Sequence, residues 1–164
     1  HQTKYTLPIP PSPNLPNMKA VYLYPATCYF EATPVSLGRG TSLPFQVYGH
    51  PNMTGYDYSF TPKSVPGAKN PPQLNKLCHG VNLSNMSDEE IWKRGVDLSY
   101  VIDAYKNLNI GDHFFRPFFE LLVGTDYVRK MIIEGKSAEE IKNRWKGDVE
   151  KFKEQRKPYL LYQE

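Results

Sequence analysis

The chain has 164 residues, of which 40% are hydrophobic and 23% charged, and its formal net charge at pH 7 is +3. This length predicts one domain with a single core. The small charge, with lysines dispersed along the chain, argues against nucleic acid as a partner, and the lack of an apolar run of 18 residues argues against a membrane span.

Proline dominates the start of the chain, where residues 7–16 read LPIPPSPNLP. This composition predicts an extended, polyproline-like segment that cannot join the middle of a sheet. We therefore interpret residues 1–16 as an interdomain connector and residues 17–164 as the domain itself. The initial His1 allows an N-terminal copper brace as one interpretation, but a fragment boundary or tag remnant explains it better.

Residues 23–45 are the densest in hydrogen-bonding side chains. We expect a short helix that begins near Pro25 and has Glu31 at its end, followed by a loop over residues 33–44. In this loop Arg39 stands between Gly38 and Gly40, which permit positive φ and a close backbone approach. The loop therefore either presents the guanidinium as a binding group or pairs it with a nearby carboxylate.

The next 40 residues alternate short apolar runs with proline, glycine and asparagine. This pattern predicts three short strands, at residues 45–48, 58–62 and 77–83, and a surface loop over residues 63–76. Within the third strand, His79-Gly80 indicates a bulge or a close backbone approach.

From Ser87 onward the pattern is helical. A capping box at Ser87 and Glu90 predicts one helix to about residue 107, and a second box at Ser137 predicts a helix that ends before Pro158. Between them we expect an aromatic helix at residues 114–122, ended by Gly124, and a helix at residues 126–134 capped by Thr125. The fold class is therefore α+β, a small loop-rich sheet covered by C-terminal helices.

Metal and cofactor sites are not expected. The histidines His50, His79 and His113 lack ligand spacing, and two cysteines do not make a zinc site. Cys28 and Cys78 either form one disulfide or remain two buried thiols, depending on the compartment.

A resemblance to a known family rests on motifs spread over nearly the whole chain. They are Tyr24-Pro25, Cys28, Phe30-Glu31, Thr33, Ser36, Gly38-Arg39-Gly40-Thr41, Pro44-Phe45, Cys78-His79-Gly80-Val81, Leu121-Leu122-Val123-Gly124-Thr125-Asp126 and Arg156-Lys157-Pro158-Tyr159-Leu160-Leu161-Tyr162. With them the chain resembles the C-terminal domain of the NamZ-type exo-β-N-acetylmuramidases, bacterial glycoside hydrolases first described as a domain of unknown function. It departs from the family at Ala32 and Pro34, where glycine and asparagine are usual.

The resemblance implies a two-domain enzyme whose Rossmann-like N-terminal domain is absent from this sequence. Such an enzyme releases N-acetylmuramic acid from the non-reducing ends of peptidoglycan fragments, in the periplasm or outside the cell. The substrate is then a peptidoglycan-derived muramic-acid glycoside, bound in a cleft between the domains. The alternative is a stand-alone glycan-binding or structural module without catalytic activity.

The implied site centres on Glu31 and Arg39. Glu31 is the candidate catalytic carboxylate, or else a residue that orients Arg39, whose planar fork suits the lactyl carboxylate of muramic acid. We expect further substrate contacts from Thr33, Ser36, Gly38, Gly40 and Thr41.

Glycoside hydrolysis normally requires two carboxyl groups, and we expect at least one on the missing domain. Further candidates in this chain are Asp57, Asp103, Asp112, Glu120 and Asp126. The aromatic residues Tyr22, Tyr24, Tyr29, Phe30 and Tyr48 form either a sugar-stacking wall or part of the core.

Overall fold

The structure is a computed structural model that describes residues 5–162. His1, and with it the copper-brace interpretation, lies outside these residues. The described chain forms a three-stranded antiparallel sheet and six α-helices, which confirms the α+β fold. The helices are α1 (Met18–Thr27), α2 (Asp88–Arg94), α3 (Ser99–Leu108), α4 (Phe118–Val123), α5 (Tyr127–Ile133) and α6 (Ala138–Arg156), and short 3₁₀ turns lie at Cys28–Ala32, Gly111–His113 and Lys157–Tyr159.

The sheet contains β1 (Val47–His50), β2 (Tyr58–Phe60) and β3 (Cys78–Asn82), in the order β1-β3-β2. All three predicted strands are therefore present, with somewhat different bounds. Gly80 lies opposite Gly49, and a Cβ at Gly80 would come within 1.9 Å of the carbonyl oxygen of Tyr48. The close backbone approach predicted at His79-Gly80 is thus confirmed.

Helix α1 begins well before the predicted start at Pro25. The side chain of Asn17 accepts a hydrogen bond from the Ala20 N–H at 2.9 Å, which satisfies a free amide at the helix start. Pro25 instead lies inside the helix, where its ring has no N–H to donate to the helix backbone. The 3₁₀ turn at 28–32 follows directly and carries Glu31 near its end, as expected.

The single helix predicted from Ser87 to about residue 107 is wrong. Gly95 has φ 59° and ψ −128°, a conformation that excludes it from a helix, and the chain restarts as α3 four residues later. Ser87 does cap α2, accepting from the Glu90 N–H at 3.1 Å. The Glu90 carboxylate binds Arg94 at 3.1 Å rather than closing a capping box.

The starts of α4 and α5 differ from the predicted ones. The predicted boundaries at Gly124 and Ser137 are confirmed. The aromatic helix begins at Phe118 because Phe114 packs in the core after the turn at 111–113. Asp126 rather than Thr125 is the N-cap residue of α5. Gly124 ends α4 with φ 73°, and Ser137 opens α6 with a complete capping box.

The core lies between α1, β1 and the helices that follow the sheet. Phe30 stacks on Tyr48 with ring centroids 4.8 Å apart, and Tyr48 in turn contacts Tyr100 of α3. Cys28 and Cys78 are free thiols, which selects the thiol alternative. No helix within residues 5–162 is both long and apolar enough to cross a bilayer.

The Pro-rich segment is described from residue 5. It forms bends and a turn closed by the Leu15 N–H and the Ser12 carbonyl at 2.9 Å, and most of its side chains are exposed. Asn14 ties it to the domain by donating to the Gly67 carbonyl at 2.9 Å. Its role as an interdomain connector, and the boundary at residues 16 and 17, stay predictions.

Candidate functional site

The loop that carries Arg39 is held in shape by its own hydroxyl groups. Thr41 Oγ1 donates to the Gly38 carbonyl at 2.7 Å and accepts from the Leu43 N–H at 3.0 Å. Ser36 Oγ accepts from the Gly38 N–H at 3.3 Å, and the backbone of Ser36 pairs with that of Gly49 on β1. The loop is therefore anchored to the sheet on one side of Arg39 and closed by a turn on the other.

The two glycines around Arg39 are required by the backbone and by space. Gly38 has φ 71° and Gly40 φ 81°, both in the left-handed region. A Cβ at Gly40 would lie 2.1 Å from the carbonyl oxygen of Lys63, and the Lys63 N–H donates to the Gly40 carbonyl at 3.0 Å. The arginine is thus presented from a turn pressed directly against the following loop.

Thr33 is also committed to the backbone, since it donates to the Phe30 carbonyl at 2.8 Å and accepts from the Val35 N–H at 3.2 Å. Thr33 and Ser36 are buried, and Thr41 is half-buried. Direct contact of these three side chains with substrate stays a prediction. Their geometry favours a role in fixing the loop instead, because their hydroxyls already bond to the chain.

Glu31 and Arg39 come together as a loose ion pair. Arg39 Nη2 lies 3.9 Å from Glu31 Oε2, and the two side chains are 37% and 26% exposed. Arg39 Nε is buried and has no hydrogen-bond partner among residues 5–162, while its Cζ lies 5.6 Å from the ring centroid of Phe45. Both charged groups therefore keep hydrogen-bonding capacity for a ligand, since the pair is neither short nor bidentate.

Two neutral side chains, Tyr24 and Cys28, join the ion pair and Phe45. We call these five residues, Tyr24, Cys28, Glu31, Arg39 and Phe45, the Arg39 cluster. The ring of Tyr24 lies 5.3 Å from that of Phe45 and is partly exposed. Burial, and then the Glu31 charge, raise the pKa of the Cys28 thiol to about 11 and raise the pKa of Tyr24. Both groups consequently stay protonated at neutral pH, so the cluster carries its charge on the carboxylate and the guanidinium.

The role of Cys28 and Phe45 in this cluster was not predicted. Tyr24, Cys28 and Glu31 follow one another at spacings of four and three residues, which places them on one side of continuous helical backbone. That spacing was a usable signal in the sequence. Phe45 belonged to a motif of the resemblance, but it reaches the cluster through an unusual backbone conformation with φ 58° that spacing does not predict.

Most of the expected sugar-stacking aromatics lie elsewhere. Phe30 and Tyr48 are stacked in the core, and Tyr22 packs edge-on against Trp92. Tyr29 is half-buried against Phe119. Tyr24 is the member of this set that belongs to the Arg39 cluster.

Three of the five other candidate carboxylates are engaged in structural contacts. Asp103 accepts from the hydroxyls of Tyr48 and Tyr56 at 2.9 and 2.7 Å. Glu120 pairs with Arg129 at 2.7 Å, and Asp126 pairs with Lys130. Asp57 and Asp112 are exposed. No second carboxylate is thereby assigned to the Arg39 cluster.

Two of the histidines have hydrogen-bond partners nearby in the fold. His79 Nδ1 lies 2.9 Å from Ser59 Oγ, and His50 Nδ1 accepts from the Asn52 N–H at 3.1 Å. Within the described part of the chain, no three His, Cys, Asp or Glu side chains approach closely enough to hold a metal ion.

Comparison with known proteins identifies the class of protein as the C-terminal domain of a glycoside hydrolase family. Residues 22–162 match the family model described as Exo-beta-N-acetylmuramidase NamZ, C-terminal, and the chain belongs to this family. It is 34% identical over 167 residues to the peptidoglycan beta-N-acetylmuramidase NamZ of Bacillus subtilis (strain 168), a match that covers 93% of this chain and 40% of that protein.

Two solved structures, both of DUF1343 family proteins from Bacteroides fragilis NCTC 9343, are similar to this chain. One is 82% identical with a TM-score of 0.98 and covers all of this chain and 46% of its own. The other is 20% identical with a TM-score of 0.66 over 94% of this chain and 45% of its own, a similarity of fold alone. The chain spans less than half the length of each of these relatives.

Proposed function

We propose that this domain is the C-terminal part of an exo-acting β-N-acetylmuramidase that releases N-acetylmuramic acid from the non-reducing ends of peptidoglycan fragments. Family membership and the name of the B. subtilis relative support the substrate class. The observation that carries the proposal is the Arg39 cluster, in which a partly exposed guanidinium, a carboxylate and an aromatic ring converge. The enzyme works in the periplasm or outside the cell, where peptidoglycan fragments arise.

In this proposal Arg39 binds the lactyl carboxylate, the group that distinguishes muramic acid from N-acetylglucosamine. Its guanidinium is held in place by the Phe45 ring, and the long contact to Glu31 leaves N–H groups available. A planar fork of this kind forms two parallel hydrogen bonds to a carboxylate. The adjacent Tyr24 ring provides an apolar face for a sugar ring.

Glu31 has two possible roles. As a catalytic carboxylate it would work with a second carboxyl group on the N-terminal domain, so that the substrate lies in a cleft between the domains. As a positioning residue it would only hold Arg39 in the orientation that receives the substrate. The alternative function, a stand-alone glycan-binding module, is favoured by the presence of a single carboxylate in the Arg39 cluster.

The lactyl clamp is tested with Arg39→Lys in the full-length protein. Lysine keeps the charge but loses the fork, so discrimination between muramic acid and N-acetylglucosamine glycosides should fall by about 1.5–3 kcal/mol. The measurement is kcat/KM on both substrates. Arg144→Lys is the matched control, because Arg144 lies over the Tyr127 ring away from the cluster. Unchanged discrimination with normal folding would leave Arg39 as a structural partner of Glu31.

Glu31→Gln separates the two roles of Glu31, since glutamine keeps the size of the side chain and removes its charge. A catalytic carboxylate predicts a loss mainly in kcat, whereas a positioning residue predicts a smaller loss dominated by KM. Glu120→Gln, which breaks the ion pair with Arg129, controls for the removal of a surface carboxylate.

The 164-residue chain by itself should not hydrolyse a muramic-acid glycoside, because one carboxylate cannot act both as acid and as nucleophile or base. Product release by the purified chain, followed by chromatography over several days, measures this. Turnover at the rate of the full-length enzyme would place the whole catalytic site in this domain and refute the proposed division of labour.

A further inference from the structure

The apolar face of α6 loses its cover along the helix. Ile141, Trp145, Val149 and Phe152 follow one another at spacings of four, four and three residues, which places them on one side. Ile141 is fully buried and Trp145 half-buried, but Val149 is 42% and Phe152 61% exposed. The helix therefore starts in the core and projects from the domain with its apolar side uncovered.

The exposed apolar surface continues past the end of α6. Tyr159, in the 3₁₀ turn that follows, is 83% exposed, and Leu161 and Tyr162 are 91% and 79% exposed. Beside Val149 and Phe152 lies an open groove of about 520 Å³, whose other walls include Tyr29, Val123 and Tyr127. Several large apolar side chains exposed in this way mark an interaction site more often than they simply face water.

The 82% identical solved structure bears on what covers this surface. Its TM-score of 0.98 over the whole of this chain leaves no room for a displaced 19-residue helix, so α6 projects in the same way within that longer protein. More than half of that protein lies outside the matched part, and the family model describes the matched part as C-terminal. A large preceding portion is thus available in the same molecule.

We infer that the exposed face of α6, the groove beside it and the segment 159–162 together form the docking surface for the N-terminal portion of the full-length protein. We call this the α6 surface. The α6 surface binds protein rather than substrate, and it is formed by residues that are not part of the Arg39 cluster.

Amide hydrogen exchange tests this in the full-length protein and in the 164-residue chain. Amides of residues 149–162 should exchange at least about tenfold more slowly in the full-length protein, because docking suppresses local opening. The double variant Phe152→Ser with Leu161→Ser should lose this protection in the full-length protein. It should leave exchange elsewhere in the 164-residue chain unchanged, since both side chains are exposed there.

Leu121→Ser is the matched control, because Leu121 is also strongly exposed but does not line the groove. It should keep the protection. Equal exchange of residues 149–162 in both proteins would overturn the inference. The inference would also be overturned if the 164-residue chain sedimented as a dimer and the double variant as a monomer. A second copy of the chain would then be the partner. If residues 149–162 are protected in a full-length protein that does not hydrolyse a muramic-acid glycoside, the proposed function is rejected but the docking surface is supported.

Discussion

At the scale of single residues, Gly40 and Gly55 provide a matched pair. Their φ angles are 81° and 80°, but a Cβ at Gly40 would meet the Lys63 carbonyl, whereas nothing lies within 4 Å of one at Gly55. Alanine should therefore cost about 1 kcal/mol of unfolding free energy at Gly55, from backbone strain alone. At Gly40 it should cost about 1–3 kcal/mol more, from overpacking.

Urea denaturation of the two variants at the same pH measures this difference. Equal losses of unfolding free energy would mean that the loop containing Lys63 moves aside without an energetic cost. Gly40 would then not be what fixes the position of Arg39. A larger loss at Gly40 together with weakened discrimination between substrates would link the close approach to the site.

Individual side chains also mark the limit of sequence reasoning about the site. The proximity of Glu31 and Arg39 followed from their short separation in one loop-rich stretch. The hydroxyls of Thr33 and Ser36 bond to nearby backbone groups, and their contact with substrate stays a prediction. A sequence gives the number of hydroxyl groups but not which of them the folded backbone already satisfies.

At the scale of helices and strands, the two serine caps allow a direct test. Ser137 takes part in a reciprocal capping box, whereas the Ser87 side chain accepts from the Glu90 N–H but the Ser87 N–H donates no hydrogen bond to the Glu90 carboxylate. Ser137→Ala should cost about 1–2 kcal/mol of unfolding free energy, and Ser87→Ala about 0.5–1 kcal/mol. Thermal and urea unfolding of both variants measure the costs. A larger loss at Ser87 would contradict the assignment of the reciprocal bond.

Helix boundaries were predictable where one residue type determines them and not elsewhere. Gly124 ended α4 and Ser137 began α6 as expected, since each acts through its own backbone or side chain. The break at Gly95 was missed because an isolated glycine within an apolar pattern is often tolerated in a helix. Here Val96 is exposed and Leu98 buried, so packing favours a separate α3 over one continuous helix.

At the scale of the whole molecule, the α+β fold followed from the change of periodicity at Ser87. The uncovered face of α6 did not follow, because apolar spacing predicts a buried face wherever it occurs. A face that a separate portion of the protein covers has the same sequence pattern as one covered by its own domain. Only the structure reveals that Phe152 is exposed and that this face of α6 is uncovered.

Alkaline pH should destabilise the whole domain through its buried hydroxyl and thiol groups. Burial, and then Asp103, raise the pKa of Tyr48, and burial with a hydrogen bond to Asp103 raises the pKa of Tyr56. In the unfolded chain, tyrosine releases its proton near pH 10, whereas the folded protein retains it. The unfolded state then binds fewer protons, so stability falls as pH rises.

Urea denaturation between pH 7 and pH 11 should show this decline. The contribution of Tyr48 is fully present below about pH 10 and is lost above it, at up to about 1.4 kcal/mol per pH unit for each such group. The Cys28 thiol, whose pKa is raised to about 11 by burial and then by Glu31, should start the decline nearer pH 9. Tyr48→Phe should therefore cost stability at pH 7 and make the decline shallower.

Thr27→Val supplies the control, because it removes a buried hydroxyl that donates to the Leu23 carbonyl at 3.0 Å and does not titrate. It should lower the unfolding free energy by a similar amount at every pH, about 1 kcal/mol, and leave the steepness of the decline unchanged. If Tyr48→Phe also lowered the unfolding free energy by the same amount at every pH, Tyr48 would have the same pKa in the folded and the unfolded state. The hydrogen bond to Asp103 would then contribute to packing but not to the pH dependence of the fold.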